Sequence, residues 1–310
     1  MSISDSFASI LHKLIRLYTL YFPFSKGKYR LIQALRRAFP QYARPLLATA
    51  SDGRTFVANL STGMYDTIFF LGEYESFLTS IITRVVREGD VCIDAGANFG
   101  WYTTLLASRV GDEGRVHAFE PVPSTFAELS RNVTLNEHAE NTVLNEAALS
   151  DSRSTATVTL FDAQPTGHAS LAGKGKGARI DCKTVNLDNY LVERKIDNVA
   201  FMKVDVEGAE LDLLRGSERT FHQKVPPVIV MEMALEQSRH FGYLPNDLIE
   251  FIASKARYDF FKIDEVGEFL VQIEHFEAND IGANVLCVPR AANERVRNSI
   301  QDLLRTTNAG

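Results

Sequence analysis

The chain has 310 residues, 45% apolar and 23% charged, enough to bury one substantial core with a small appendage beside it. Its net charge of −6 gives no general attraction to phosphate backbones, so no nucleic-acid partner is expected. The three cysteines, Cys92, Cys182 and Cys287, lie far apart with no C-x-x-C or Cys/His grouping, which argues against a disulfide framework or a zinc site.

Two short helical patterns open the chain. Phe7, Ile10, Leu11, Leu14, Leu17, Tyr18 and Tyr21 share one face, and Leu31, Ile32, Leu35 and Phe39 share another before Pro40 ends the run. Between Met1 and Pro45 stand eight basic residues against one acid, Asp5. Residues 1–45 therefore read as a basic helical cap, either packed on the rest of the chain or drawn as a surface helix into peripheral contact with anionic lipid. Lys13 and Arg16 interrupt the longest apolar run, so no bilayer crossing is expected. The start also lacks the layout of a signal peptide, and a cytoplasmic location is the default.

Residues 46–87 read as a hairpin turning at Ser51-Asp52-Gly53-Arg54, followed by a helix from about Tyr74 to Arg87. Residues 88–310 form the main domain. Strand-like runs at Asp90 to Asp94, Arg115 to Glu120, Thr142 to Leu149, Val199 to Asp205, Val228 to Glu232, Tyr258 to Ile263 and Asn284 to Pro289 are mostly separated by helical stretches. These begin near Gly100, Pro123, Gly208 and Pro245, and the alternation predicts an α/β fold with a mainly parallel sheet covered on both faces. One stretch breaks the rhythm: Ser154 to Phe161 and Ala178 to Val185 alternate apolar and polar residues about a Gly/Lys-rich segment, 173–177, and predict an inserted β-hairpin.

The segment Val91 to Gly100 carries the most chemistry. It reads as a strand ending in Asp94, a tight turn with Gly96, Asn98 and Gly100, and a helix beginning at Trp101-Tyr102. The glycines remove side chains where the backbone must turn sharply and a ligand must approach closely. Asp94, at the carboxyl end of the first parallel strand, can hold an ammonium group directly or through water. One strand later, Phe119-Glu120-Pro121 places an acid where a carboxylate can accept hydrogen bonds from both ribose hydroxyls. A pyrophosphate fits poorly, because the turn is one glycine short of G-x-G-x-x-G and follows a carboxylate. An adenosine compound bearing an ammonium group, S-adenosylmethionine, fits better; a nicotinamide-dependent oxidoreductase is the alternative.

Ordered blocks extend this pattern: Gly72-Glu73-Tyr74-Glu75, the Asp94 to Tyr102 turn, Phe119-Glu120-Pro121, Asn132 through Asn136, Ala147-Ala148-Leu149-Ser150-Asp151, and Lys203 through Glu210. With them the chain resembles the FkbM-type methyltransferases, a branch of the Rossmann-like class I enzymes, from about Gly72 to Pro289. The resemblance implies a seven-stranded sheet with its last strand antiparallel, and O-methylation of a hydroxyl on a sugar, glycan or polyketide-like metabolite. It places Asp94, Gly96, Asn98, Gly100, Tyr102, Glu120, Pro121, Ala148 and Asp205 at the S-adenosylmethionine site. Glu75 could reach the donor's amino-acid end or pair with a cap arginine.

Methyl transfer from a sulfonium is a direct displacement, so the enzyme must align the acceptor and remove its proton. Asp205 ends the fourth strand and Glu207 is expected to open the following helix, both over the sheet's carboxyl edge. Asp205 could be a general base, an orienting acceptor or a ligand to the donor's amine. Glu207 reads as functional, whereas Glu210 reads as a first-turn acid stabilised by the helix dipole. Glu232 adds a carboxylate at the same edge. Asp205, Glu207 and Glu232 could together enclose a divalent cation, although metal-independent transfer is the preferred reading. His168, on the inserted segment, has the pKa range of a base; simple exposure on a loop is its plain alternative. Amine-directed nucleic-acid methyltransferases often carry Asn-Pro-Pro-Tyr where this chain has Asp205-Val206-Glu207-Gly208, whose acids oppose a polyanion. A donor-binding scaffold without activity is the remaining alternative.

Overall fold

The computed structural model describes residues 14–18, 45–59, 63–161, 169–170, 177–277, 280–291 and 294–305. The chain divides into two units, one within residues 1–76 and the other from Phe77 onward. In the first, residues 14–18 are helical, and the rest of the two N-terminal helical patterns lies outside the described residues. Strands β1 (Pro45–Thr49) and β2 (Thr55–Asn59) form the expected antiparallel hairpin, with Leu47 opposite Val57. Its turn is fixed by Gly53 at φ +91° and by Arg54, whose backbone N–H and Nε donate to the Asp52 carboxylate at 3.1 and 2.8 Å. A helix, Gly63–Leu71, follows that the sequence pattern did not predict. Its apolar residues bunch together at Ile68-Phe69-Phe70, all buried, and leave no 3.6-residue stripe to recognise.

Helix Ser76–Val85 begins later and ends earlier than the expected one. Phe77, Leu78, Ile81, Ile82 and Val85 are its buried side chains, at amphipathic spacing. The main sheet then assembles from β3 (Val91–Ala95), β4 (Arg115–Phe119), β5 (Thr142–Asn145), β10 (Phe201–Val204), β11 (Val228–Ala234), β12 (Tyr258–Asp264), β13 (Phe269–Ile273) and β14 (Gly282–Pro289). Their order is β13-β12-β14-β11-β10-β3-β4-β5. The last strand, β14, is antiparallel to both neighbours, β11 and β12, as expected. The sheet has eight strands and not seven, because β13 folds back antiparallel on β12 at the edge. Only Leu270 of β13 is buried, so the alternation that would have revealed it is missing.

The run Thr142 to Leu149, expected as one strand, serves two sheets. β5 stops at Asn145, and β6 (Ala148–Ser150) pairs instead with β9 (Gly177–Asn186). β9 also pairs with β7 (Thr155–Phe161) in the anticipated hairpin, from Thr155 opposite Lys183 to Phe161 opposite Gly177. With β8 (Ala169–Ser170) these strands make a separate four-stranded sheet, ordered β6-β9-β7-β8.

The central parallel strands are covered on both faces, which explains their nearly continuous apolar sequences. Ile93, Ala95, Phe119, Met202, Val204 and Met231 belong to one core with residues of helices Leu187–Glu193, Glu210–Arg215 and Pro245–Lys255. Ala97 and Ala118 pack with Leu129 and Val133 of helix Pro123–Leu135. The three cysteines are buried and free. Among the described residues no helix is long and apolar enough to cross a membrane.

Candidate active site

The chain leaves β3 through a turn held almost entirely by backbone. Gly96 N–H and Ala97 N–H both donate to the Phe119 carbonyl, at 3.0 and 2.9 Å. Gly96 has φ +77°, and a Cβ there would lie 1.7 Å from the Asp205 carbonyl oxygen. Two loops from different strand ends thus touch backbone to backbone, and only glycine permits it. Asn98 takes φ +50°, a region asparagine tolerates because its short amide bonds locally. Here Asn98 Oδ1 accepts from Phe99 N–H at 2.8 Å. Gly100, at φ +95°, precedes helix Trp101–Val110, and a Cβ would meet the Leu129 side chain at 2.8 Å.

Glu120 stands directly after β4, 6% exposed. Its Oε2 accepts from Asn98 N–H and its Oε1 from Val122 N–H, each at 2.9 Å, leaving acceptor capacity on both oxygens. Burial pushes the carboxyl up to about 7; the two N–H bonds oppose the shift, and the charges of Asp94 and Asp205 add to it. Asp94 is fully buried. Its Oδ2 accepts from Thr103 Oγ1 at 2.6 Å, and its Oδ1 has no hydrogen-bond partner among the described residues. Burial raises the Asp94 pKa against the opposing influence of Lys203 and Thr103.

A cleft opens over these strand ends. Of the predicted site residues, Gly96, Asn98, Glu120, Pro121, Ala148, Asp205 and Glu207 line it. Asp94, Gly100 and Tyr102 do not. Tyr102 and Asp94 lie buried behind the cleft lining. Glu75 belongs to the first unit, at φ +43°. His168 lies outside the described residues.

The other wall follows β10. Asp205 N–H donates to the Ala95 carbonyl at 3.0 Å, and its Oδ2 accepts from Lys203 Nζ at 2.7 Å. Glu207 does not open a helix as expected. It sits in the turn at φ +54°, followed by Gly208 at φ +105°, and the helix begins at Glu210. Glu210 is buried and organises this turn: Oε1 accepts from Val206 and Gly208 N–H at 3.2 and 3.0 Å, and Oε2 from the Tyr243 hydroxyl at 2.7 Å. Those bonds hold the chain in the non-helical path that carries Glu207 to the cleft. Glu232, on β11, is pushed up to about 9 by burial and then by the charges of Asp205, Glu207 and Glu210, with Lys203 opposing. Among the described residues no three His, Cys, Asp or Glu side chains are grouped to hold a metal ion.

Two features escaped the sequence reading. Val158, on β7 of the second sheet, lines the cleft, and it packs with Val122 and Ala148. Alternation marked it as inward-facing, but no local signal says which core an inserted strand faces. Lys203 had a signal that went unused: it is a lone charge inside an otherwise apolar strand, and a buried ammonium needs a partner.

Residues 94–264 match the family described as the methyltransferase FkbM domain. The chain is 29% identical over 168 residues to the methyltransferase sdnD of Sordaria araneosa, covering 44% of this chain and 64% of that protein. It is 26% identical over 199 residues to the hexuronic acid methyltransferase AglP of Haloferax volcanii, covering 64% and 76%. With the 31-O-demethyl-FK506 methyltransferase FkbM of Streptomyces tacrolimicus it shares 27% identity over 174 residues, 46% and 65% of the two chains. The chain thus spans a little under two thirds of sdnD and of FkbM. A solved SAM-dependent O-methyltransferase from Thermotoga maritima superimposes with a TM-score of 0.38 at 14% identity, over 82% of this chain and 80% of that one. With the FkbM domain matched over more than half its length, and with a cleft at the carboxyl ends of β3, β4 and β10, this chain belongs to the FkbM methyltransferase family.

Proposed function

We propose that the chain transfers a methyl group from S-adenosylmethionine to a hydroxyl of a sugar, glycan or polyketide-like acceptor. The observation that carries this reading is the meeting of Glu120 with Asp205 and Glu207 in one cleft. The residues present suit the donor. Glu120 keeps acceptor capacity on both oxygens for ribose hydroxyls, and the partnerless Asp94 Oδ1 can take a bridge to an ammonium group. The Streptomyces relative is named for 31-O-demethyl-FK506 and the Haloferax relative for hexuronic acid, which supports a hydroxyl-bearing acceptor.

S-adenosylmethionine supplies a methyl group on a positively charged sulfur, which becomes a neutral thioether as the acceptor oxygen takes the methyl. The protein's share is orientation and proton removal. Asp205, fixed at Oδ2 by Lys203, orients the acceptor hydroxyl; Asp205 or Glu207 receives its proton. Val158 and Leu149 supply apolar wall. The transfer is read as metal-independent, so full turnover should survive exhaustive chelation, and loss that a divalent cation restores overturns that part. We further read the chain as cytoplasmic, without a nucleic-acid partner, and the basic stretch before Pro45 supports a peripheral membrane contact.

The test is labelled donor incubated with fractionated glycans, lipids and small metabolites. Label on a hydroxyl-bearing compound is the expected result, and label found only on nitrogen or carbon overturns the proposal. In parallel, S-adenosylmethionine and not nicotinamide cofactors should raise the melting temperature.

A further inference from the structure

We propose that Lys203 sets how strongly the donor site distinguishes the cationic methyl donor from its neutral-sulfur product, an inference that rests on the S-adenosylmethionine reading above. Lys203 lies in the middle of the sheet, with Asp94 of β3 and Val230 of β11 as its register partners. Its side chain is 5% exposed, whereas that of Asp205 is 36% exposed. Burying an ammonium is costly unless a counter-charge meets it, and Asp205 Oδ2 does so at 2.7 Å, with the face of the Tyr102 ring 5.0 Å from Nζ. The pair is therefore built from the inside out. Lys203 stands behind the cleft wall, and the carboxylate it holds is part of that wall.

The charged residues lining the cleft are Glu120, Asp205 and Glu207, all acids. Lys203 offsets one of them, and its charge is felt further along the edge. It works against burial in holding down the carboxyl pKa values of both Asp94 and Glu232. Donor and product differ by one methyl group and one positive charge, so the ratio of their affinities reports the charge of the site around sulfur. Without Lys203, an uncompensated Asp205 would bind the sulfonium more tightly while leaving the thioether almost unaffected. Binding gained in that way stabilises the ground state only, because the charge disappears during transfer. Lys203 is thus a positioning residue acting through Asp205, and it limits a favourable but unproductive attraction.

The experiment measures the dissociation constants of S-adenosylmethionine and S-adenosylhomocysteine by calorimetry on the full chain, with no acceptor required. In Lys203→Met the affinity ratio should move toward the methionine form by about fivefold, while Lys203→Arg, which keeps the charge, should leave it near the wild-type value. Asp205→Asn should move it the opposite way, and the double variant, which removes one charge of each sign, should return it toward the wild-type value. A Lys203→Met protein that binds both ligands with an unchanged ratio overturns the proposal. Should Lys203→Met fail to fold, Asp205→Asn decides, and an unchanged ratio there overturns it equally. Wild-type protein that binds neither ligand overturns the donor reading itself, and this inference falls with it.

Discussion

The two sides of the candidate site are held by different means: the turn from Asp94 to Glu120 mainly by backbone N–H groups, the edge from Asp205 to Glu232 by side chains acting on one another. Around Asp94 to Glu120, the turn is fixed by N–H groups on the Phe119 carbonyl and on the Glu120 carboxylate. Around Asp205 to Glu232, a half-exposed carboxylate leans on a buried lysine, and Glu207 is carried by a turn that Glu210 and Tyr243 secure. The first arrangement tolerates no change of shape. The second leaves charge free to be rebalanced, which suits the proton removal proposed for this edge.

Gly96 joins the two sides, so its replacement should have the largest effect. Gly96→Ala sets a methyl 1.7 Å from the Asp205 carbonyl oxygen at φ +77°, where both strain and overlap oppose folding. A loss of about 4 kcal/mol or more in urea unfolding is expected. A loss below about 1 kcal/mol would mean that the Asp205 loop yields easily and the two sides are not rigidly joined.

Asp94→Asn separates affinity from stability. The asparagine oxygen can still accept from Thr103, while the buried negative charge and its desolvation cost disappear. Donor affinity measured by calorimetry should fall by about 100-fold, near 3 kcal/mol, with apo stability unchanged or higher. A variant weakened equally in both would make Asp94 a structural acid.

The turn from Asp94 to Glu120 was legible in the sequence because its parts are close together along the chain. A strand, two glycines, an asparagine and an acid one strand later specify a local geometry that few other folds require. The edge from Asp205 to Glu232 was only partly legible. Asp205 and Glu207 stood out as acids at a strand end, but the positive φ at Glu207 depends on Glu210 and Tyr243, the latter on a distant segment. Val158 reaches the cleft only because the chain changes sheets after Asn145, and nothing in Thr142 to Leu149 marks that break. The edge strand β13 was hidden by its exposure. Contacts between distant segments leave no periodicity to read.

The remaining expected effect concerns Glu120 alone. Its carboxyl is raised from an ordinary 4.5 to about 7, so the folded chain holds this proton more tightly than the unfolded chain. The stability linked to it is fully present below pH 4.5 and is lost as pH rises through about 7, by about 3 kcal/mol. His117, on the neighbouring strand β4, works the other way across part of that range, because burial lowers its pKa to about 4. The quantity to read is therefore the difference between wild type and Glu120→Gln in urea unfolding from pH 4 to 9. Glutamine adds a fixed offset, since its amide nitrogen must face one of the N–H groups of Asn98 or Val122, but it removes the titration. The variant should lose less stability than wild type between pH 4.5 and 7 and run parallel to it above. Curves parallel throughout would show that Glu120 is already ionised at an ordinary pH in the folded protein, and the backbone-held turn at Asp94 to Glu120 would then be less desolvated than the Asp205 edge it faces.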